Sequence, residues 1–154
     1  MNKNLTGRTL INGTDIWTAY GAFLAERRPG GHENLKAILA PSGVKAHVAV
    51  DLRERNGERY ASRLEVRNQA RDVQLCFALY AGTRQAWLSQ FEAFIGFLKQ
   101  GDGGWLDIRF PDIGKTLHVF FRECSGYEPL TNLWRDGRQT ARFLVTFREP
   151  QPDN

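Results

Sequence analysis

A strict alternation of apolar residues between positions 71 and 80 constrains this chain more than any other local pattern. Every second residue is large and apolar, and the residues between them are smaller or polar. This period of two predicts a β-strand that buries one face. The apolar face consists of Val73, Leu75, Phe77 and Leu79. The chain is therefore built around a sheet, one side of which must be covered.

An amphipathic helix follows this strand and supplies the expected cover. Thr83 stands at the N-cap position, and Gly101 stands where a C-terminal cap belongs. Between them, apolar side chains recur at spacings of three and four residues. These side chains are Trp87, Leu88, Phe91, Phe94, Ile95 and Leu98. We therefore predict a helix over 83–100 whose apolar stripe lies on the sheet.

The remaining segments predict further antiparallel strands. Short strands are expected at 9–12 and 20–25, and longer ones at 105–110, 115–124 and 140–148, with a loop over 125–136. Segment 35–39 is compatible with either a strand or a short helix. Strands joined by tight turns, with one helix between them, predict a β-rich α+β fold. The expected form is an antiparallel β-sandwich or a partly open barrel, in a single domain over 1–154 with its core at about 9–150.

Residues 44–67 form a long predicted hairpin around Asn56-Gly57. This dipeptide favours a two-residue type I′ turn, in which both central residues need positive φ. Such a turn sets the register and places two pairs of opposite charges at the tip, Arg55 with Glu58 and Glu54 with Arg59. Apolar residues become scarcer from the base of the hairpin to its tip. We therefore expect the hairpin to project from the body, and we call residues 44–67 the arm.

The charge pattern favours a protein partner for the arm over nucleic acid. The chain has 21 Lys and Arg and 17 Asp and Glu, a net charge of +4. Within 51–72, however, six Arg stand beside five acidic residues. A DNA-binding surface would concentrate one sign of charge. We therefore predict an oligomer interface at the tip of the arm, formed by Arg53, Glu54, Arg55, Asn56, Gly57, Glu58, Arg59 and Tyr60.

The chain carries no recognisable catalytic, metal or cofactor motif. His32, His47 and His118 are too scattered for a metal site, and the last two are expected to be hydrogen-bonded residues of strands. Cys76 and Cys124 have no neighbouring ligand at metal-binding spacing and are expected to be reduced thiols. The sequence predicts neither an enzyme nor a protein that binds a metal or cofactor.

Targeting signals are also missing from the sequence. No apolar run approaches the ~18 residues of a membrane span. The first residues lack the apolar stretch of a signal peptide. We therefore expect a protein that is made in the cytosol and does not contact a membrane.

The order of these elements resembles the N-terminal domain of the siphophage distal tail protein family. The resemblance covers residues 9–150 and depends on the order of the motifs. These are Asn12-Gly13-Thr14-Asp15 after a first strand, the Arg-rich hairpin, Arg71-x-Val-x-Leu-x-Phe77, the Trp- and Leu-containing helix, a hairpin and a closing strand. Members of that family form hexameric rings around a channel and share their fold with tail tube proteins.

The resemblance implies a structural phage or prophage tail protein. It would form a homo-oligomeric, hexameric ring at the distal end of the tail tube, in the virion, after synthesis in the host bacterial cytoplasm. Its partners would be copies of itself and the adjacent tube, tape measure and hub or tip proteins, with DNA passing only transiently through the channel. Two alternatives are a tail tube subunit of the same fold and a small basic domain that binds nucleic acid through the Arg-rich hairpin.

Overall fold

The computed structural model describes residues 5–50, 53, 56–131 and 137–153. The strands within these residues are β1 (Leu10–Ile11), β2 (Thr14–Asp15), β3 (Ala22–Leu24), β4 (Arg71–Ala81), β5 (Trp105–Phe110), β6 (Lys115–Pro129) and β7 (Gln139–Glu149). The helices are α1 (Ile16–Tyr20), α2 (Glu33–Leu39) and α3 (Arg84–Gln100). The predicted β-rich α+β fold is confirmed.

The seven strands form one antiparallel sheet in the order β2-β1-β5-β6-β7-β4-β3. Its two edge strands, β2 and β3, are consecutive in the chain and are joined by α1. This helix has 5 residues and is therefore about 7.5 Å long. The sheet must curl until its edges lie close together. Of the two predicted arrangements, the structure corresponds to the partly open barrel.

The core lies between the sheet and α3. The predicted apolar face of β4 is fully buried, and so are Trp87, Phe94 and Leu98 of α3. The rings of Phe77 on β4 and Phe94 meet edge to face with their centroids 5.5 Å apart. As predicted, Thr83 caps α3, because its hydroxyl oxygen accepts a hydrogen bond of 3.1 Å from the amide of Ala86. The strand and the helix that dominate the sequence pattern thus form the centre of the molecule.

Two short helices, α1 and α2, were not assigned as helices from the sequence. Asp15 caps α1 by accepting a hydrogen bond from the amide of Trp17, and the helix takes up Tyr20, so the predicted strand at 20–25 shrinks to β3. Segment 35–39 belongs to α2. The side chain of Asn34 bonds to both the amide and the carbonyl of Cys76, which places α2 at the edge of β4, next to the end of β3.

The predicted loop at 125–136 is partly wrong. β6 continues to Pro129 and pairs with β7 over this extension. The strand passes two irregularities in the pairing, and Gly126 within the second has a φ of +64°. A glycine and a polar run resemble a loop in the sequence, whereas the ladder to β7 keeps the segment extended. Residues 132–136 of the predicted loop lie outside the described residues.

Candidate interaction surface

The arm leaves the body between α2 and β4, and its base is paired like a hairpin. The amide of Lys45 donates to the carbonyl of Arg67 at 2.8 Å, and the amide of Gln69 donates to the carbonyl of Gly43 at 2.7 Å. Next to this pairing, the side-chain amide of Asn68 donates to the carbonyl of Pro152 at 3.1 Å. The base of the arm is therefore tied both to itself and to the end of the body that follows β7.

Arg71 fixes the base of the arm from the body side. Its Nε lies 2.6 Å from Oε1 of Glu149, and the two side chains are only 13% and 8% exposed. The Nη1 and Nη2 groups of Arg71 donate to the carbonyls of Ala40 and Ile38 at the C-terminal end of α2. Arg71 begins β4, and Ala40 leads into the arm. One side chain thus holds both ends of the arm against the sheet.

Farther out, the two strands of the arm are joined again by a single bridge. Val50 and Arg59 each donate an amide hydrogen bond to the other's carbonyl, and both bonds measure 2.8 Å. The bridge at the base joins Val44 to Asn68. Six positions separate Val44 from Val50, but nine separate Arg59 from Asn68. The returning strand therefore contains three residues more than a regular ladder would need.

The predicted register of the arm is wrong. Arg59 pairs with Val50, whereas the predicted register paired it with Glu54. A type I′ turn needs positive φ at both central residues, but of Asn56 and Gly57 only the glycine has it, at +70°. Register is weakly specified where no buried face selects it. Glu54 and Arg55 lie outside the described residues, and with them the predicted pair of Arg55 with Glu58.

The arm exposes apolar side chains. Every described residue between 44 and 67 except His47 is exposed. Val48 shows 88% of its surface to solvent. The other large exposed hydrophobic residues of the arm are Val44, Val50, Tyr60, Leu64 and Val66. Apolar side chains gathered on an exposed segment make the arm a candidate interaction surface.

The predicted interface residues that the structure describes all lie on the surface of the arm. They are Arg53, Asn56, Gly57, Glu58, Arg59 and Tyr60. The hydroxyl of Tyr60 donates to Oε2 of Glu58 at 2.5 Å, and this hydrogen bond raises the pKa of Tyr60. Their role in an interface remains a prediction. The predicted interface does not include the exposed apolar residues of the arm, although their placement on a hairpin with little core to cover was a signal in the sequence.

A second surface lies on the body beside α2 and β3. It is an open cavity of about 450 Å³, which we call the α2 groove. Its walls include the buried side chains of Ile16, Ile38 and Phe110. Leu35 and Ile113 also line it and are 42% and 43% exposed. The α2 groove is therefore an apolar surface open to solvent.

Four charged or titratable side chains line the α2 groove, and the structure joins them in two pairs. Nη1 of Arg8 lies 2.6 Å from Oδ2 of Asp112. Nδ1 of His32 lies 3.0 Å from Oε1 of Glu26. A partner that covers Arg8 and Asp112 would not leave a lone charge buried there, which is the costly case.

The outer part of β6 has an edge that is not paired within the described residues. β5 pairs only with residues 115–120 of β6, whereas β6 continues to Pro129. Beyond Phe120 the described ladder joins β6 to β7 alone. The bulges in this segment twist the strand, which is one way in which proteins limit uncontrolled pairing at a sheet edge. This edge is a further place where another chain could bind.

The described residues show no grouping typical of a metal site. No cluster of three or more His, Cys, Asp or Glu side chains occurs among them. Nδ1 of His118 lies 2.6 Å from Oδ1 of Asp107, and the His118 ring stacks on Trp105, on the exposed side of β5 and β6. Cys76 and Cys124 are free thiols, and burial raises the pKa of both. A raised pKa favours the protonated, less reactive thiol.

No helix in the described part of the chain has the length and hydropathy that a bilayer crossing requires.

The fold was compared with those of known proteins. No protein-family model matches the sequence, and no curated protein matches it either. Among solved structures, the chain is similar to the crystal structure of the Dit protein of phage SPP1, with a TM-score of 0.52 and 15% sequence identity. The match covers 90% of this chain and 49% of the SPP1 protein, so the chain spans about half the length of that protein. The resemblance drawn from the order of the motifs is confirmed at the level of the fold.

Proposed function

We propose that this protein is a structural component of a phage or prophage tail and forms a homo-oligomeric, hexameric ring at the distal end of the tail tube. The similarity of its fold to SPP1 Dit over 90% of the chain carries the proposal. The SPP1 protein is described as a paradigm of the hub adsorption apparatus in phages that infect Gram-positive bacteria. By this analogy, the protein acts by assembly and not by catalysis.

The exposed arm supports a role in subunit contact. A protein typically contributes 20 to 30 residues to a standard interface, and the arm has 24 residues, from 44 to 67. Its apolar side chains are open to solvent in the single chain. In a cyclic assembly each arm would meet one neighbour, and the closure of the ring would limit growth.

Other tail proteins would meet the two faces of such a ring. We propose the tube and tape measure proteins and a hub or tip protein as these partners, with DNA passing only transiently through the central channel. The site of action would be the virion tail, and synthesis would take place in the cytoplasm of the bacterial host.

Native mass spectrometry combined with negative-stain electron microscopy tests the proposal. The expected result is one discrete oligomer whose images show a closed ring. Long tubes would instead favour the tail tube subunit, which shares the fold. A protein that stays monomeric at high concentration would contradict both forms of the proposal.

A DNA retention assay tests the nucleic-acid alternative. Arg53, Arg59, Arg63 and Arg67 are exposed on the arm, and Glu58 and Glu65 are exposed beside them. A short duplex should therefore be retained weakly, with little change between about 50 and 200 mM salt. Strong retention that falls steeply with salt and is lost on Arg55→Glu and Arg59→Glu would favour the nucleic-acid reading over the ring.

A further inference from the structure

We propose that the α2 groove of one copy receives the arm of the neighbouring copy. In this contact Val48 and Val50 of the arm insert between Leu35 and Ile113 of the groove. The inference rests on the proposed ring, because it names the two surfaces that meet within it.

The arm and the α2 groove are complementary in shape and polarity. The groove is concave, has a volume of about 450 Å³ and is lined mainly by apolar side chains. The arm is a narrow two-stranded segment whose valines are open to solvent, and Val48 is 88% exposed. The arm therefore does not fill the groove of its own chain. Two apolar surfaces, one convex and one concave, lie open on the same molecule.

The charges on the two surfaces are also compatible. Residues 46–50 of the arm contain no Lys, Arg, Asp or Glu, whereas Lys45 and Asp51 stand on either side of them. The charged groups that line the groove are already joined, Arg8 to Asp112 and His32 to Glu26. Burying an uncharged segment over the Arg8–Asp112 ion pair brings no new charge into the interface. Val48 and Val50 are two positions apart, so in an extended chain they point to the same side.

The placement of the two surfaces is compatible with a ring. The arm follows α2 in the chain, whereas the groove lies along α2 beside β3, so the contact joins two different surfaces. Such a contact can repeat from copy to copy and close into a ring, whereas a reciprocal exchange of arms would close at two copies. A contact of one arm with another would be the same on both sides and would stop at two copies.

Cysteine cross-linking tests the contact in the full-length protein. The background is Cys124→Ala, because Cys124 is partly exposed and Cys76 is only 3% exposed. Copies with Val48→Cys are mixed with copies of a different tag length that carry Ile113→Cys, and a short bis-maleimide is added. We expect cross-links between the two variants. A chain with both substitutions should give a ladder that ends at the full ring.

A matched control is Leu130→Cys in place of Ile113→Cys. Leu130 is 51% exposed, similar to Ile113, but does not line the groove. It should give no link to Val48→Cys. Rings that link only Val48→Cys to itself, or that link Val48→Cys equally to position 130, would overturn the inference and leave the proposed function standing. If wild-type protein forms no ring, the proposed function fails and the inference fails with it.

A charge placed at the mouth of the groove gives an independent readout. Leu35→Glu should weaken assembly by roughly tenfold or more in the apparent dissociation constant, because it puts a carboxylate against the incoming valines. Leu130→Glu should change assembly little. Circular dichroism of both variants checks that they are folded. The inference would also be overturned if the Leu35→Glu variant is folded and assembles with the same apparent dissociation constant as the wild type.

Discussion

The dipeptide Asn-Gly occurs twice in this chain and forms two different turns. At Asn12-Gly13 both residues have positive φ, 51° and 80°, and the flanking residues Ile11 and Thr14 pair across a two-residue turn. At Asn56-Gly57 only the glycine has positive φ, and the nearest described pairing joins Val50 to Arg59. The same dipeptide therefore forms a two-residue hairpin turn in one place and not in the other.

The difference lies in what surrounds each turn. The amide of Asp107 donates to Oδ1 of Asn12 at 2.8 Å, and Nδ2 of Asn12 donates to the carbonyl of Trp105 at 3.2 Å. The backbone amide of Asn12 also donates to the carbonyl of Asp107 at 3.0 Å. Asn56 is exposed at the tip of the arm. Asn-Gly forms a two-residue turn at 12–13 because hydrogen bonds to β5 hold Asn12 in place. At the exposed tip of the arm, no comparable bond to Asn56 is described.

Arg71→Met, at the base of the arm, is expected to cause the largest loss in the free energy of unfolding. The substitution leaves the carboxylate of Glu149 buried without its partner and the carbonyls of Ala40 and Ile38 without a donor. Removing one partner of a buried ion pair costs about 3 to 5 kcal/mol. Urea unfolding at one fixed protein concentration measures the loss.

The control for this prediction is Arg67→Met. Arg67 lies 3.9 Å from Glu65, and both side chains are largely exposed, so its loss should cost less than about 0.5 kcal/mol. Equal losses for the two variants would show that the base of the arm is no better anchored than its outer part.

Asn12→Ala should lower the free energy of unfolding by a smaller amount, about 2 kcal/mol. Alanine loses the two side-chain hydrogen bonds to β5, each of which contributes about 0.5 kcal/mol because Asn12 is exposed. It also has to adopt the left-handed conformation, at a cost of about 1 kcal/mol. Thermal or urea unfolding measures the sum. Asn12→Gly, which keeps the conformation and loses the bonds, should fall between the wild type and Asn12→Ala, and a glycine variant as unstable as the alanine variant would contradict this account of the turn.

Asp72 lies on the exposed face of β4, close to the base of the arm. Asp72→Asn should lower the free energy of unfolding by less than about 1 kcal/mol, and this loss should depend on pH. A hydrogen bond from Arg148, supported by one from Arg122, holds the pKa of Asp72 below its ordinary value of 3.8 although partial burial opposes the shift. A carboxyl whose pKa is lowered by folding stabilises the protein above its unfolded-state pKa, and this contribution is lost as the pH falls through the folded-state pKa.

The difference between wild type and Asp72→Asn should therefore be present at pH 7 and should shrink as the pH falls below 3.8. Urea midpoints measured at neutral and acid pH give this profile. Glu65→Gln, at an 84% exposed side chain, serves as the control and should show a smaller difference at neutral pH. A deficit of constant size at every pH would point to a packing effect and not to the charge.

The smallest effect is expected at the tip, from Asn56→Ala. The free energy of unfolding should change by less than about 0.5 kcal/mol, because Asn56 is exposed and does not adopt the left-handed conformation. The same unfolding assay as for Asn12→Ala gives a direct comparison of the two turns. A loss as large as that of Asn12→Ala would mean that the arm has a tight turn of its own.

The parts of the fold with long periodic patterns were predictable from the sequence. β4, α3 and β7 each repeat their apolar spacing over many residues, and each was predicted within one residue of its observed ends. α1 and α2 have 5 and 7 residues, which is too short for a periodic signal. α2 depends on the bonds between Asn34 and Cys76, which lie 42 positions apart. Contacts across such distances leave no local pattern.

The candidate interaction surface also has a part that the sequence predicts and a part that it does not. The exposure of the arm was predictable, because the loss of apolar residues toward the tip is a local pattern, whereas the turn signal predicted the wrong register. The pair of Arg71 with Glu149 joins residues 78 positions apart, and the α2 groove collects side chains from the N-terminal segment, α1, β3, α2 and the end of β5. The sheet brings these segments together, so no single stretch of sequence could reveal them.

The unequal lengths of the two strands of the arm allow the length of the arm to change during evolution. Since the returning strand carries three residues beyond what pairing needs, the ladder of the sheet does not set the length of the arm. Adding or removing a few residues near the tip changes its reach at little entropic cost, about 0.6 kcal/mol for each doubling of a loop. A lineage can therefore refit the arm to an altered neighbour by small insertions and deletions, while the residues that build the barrel stay as they are.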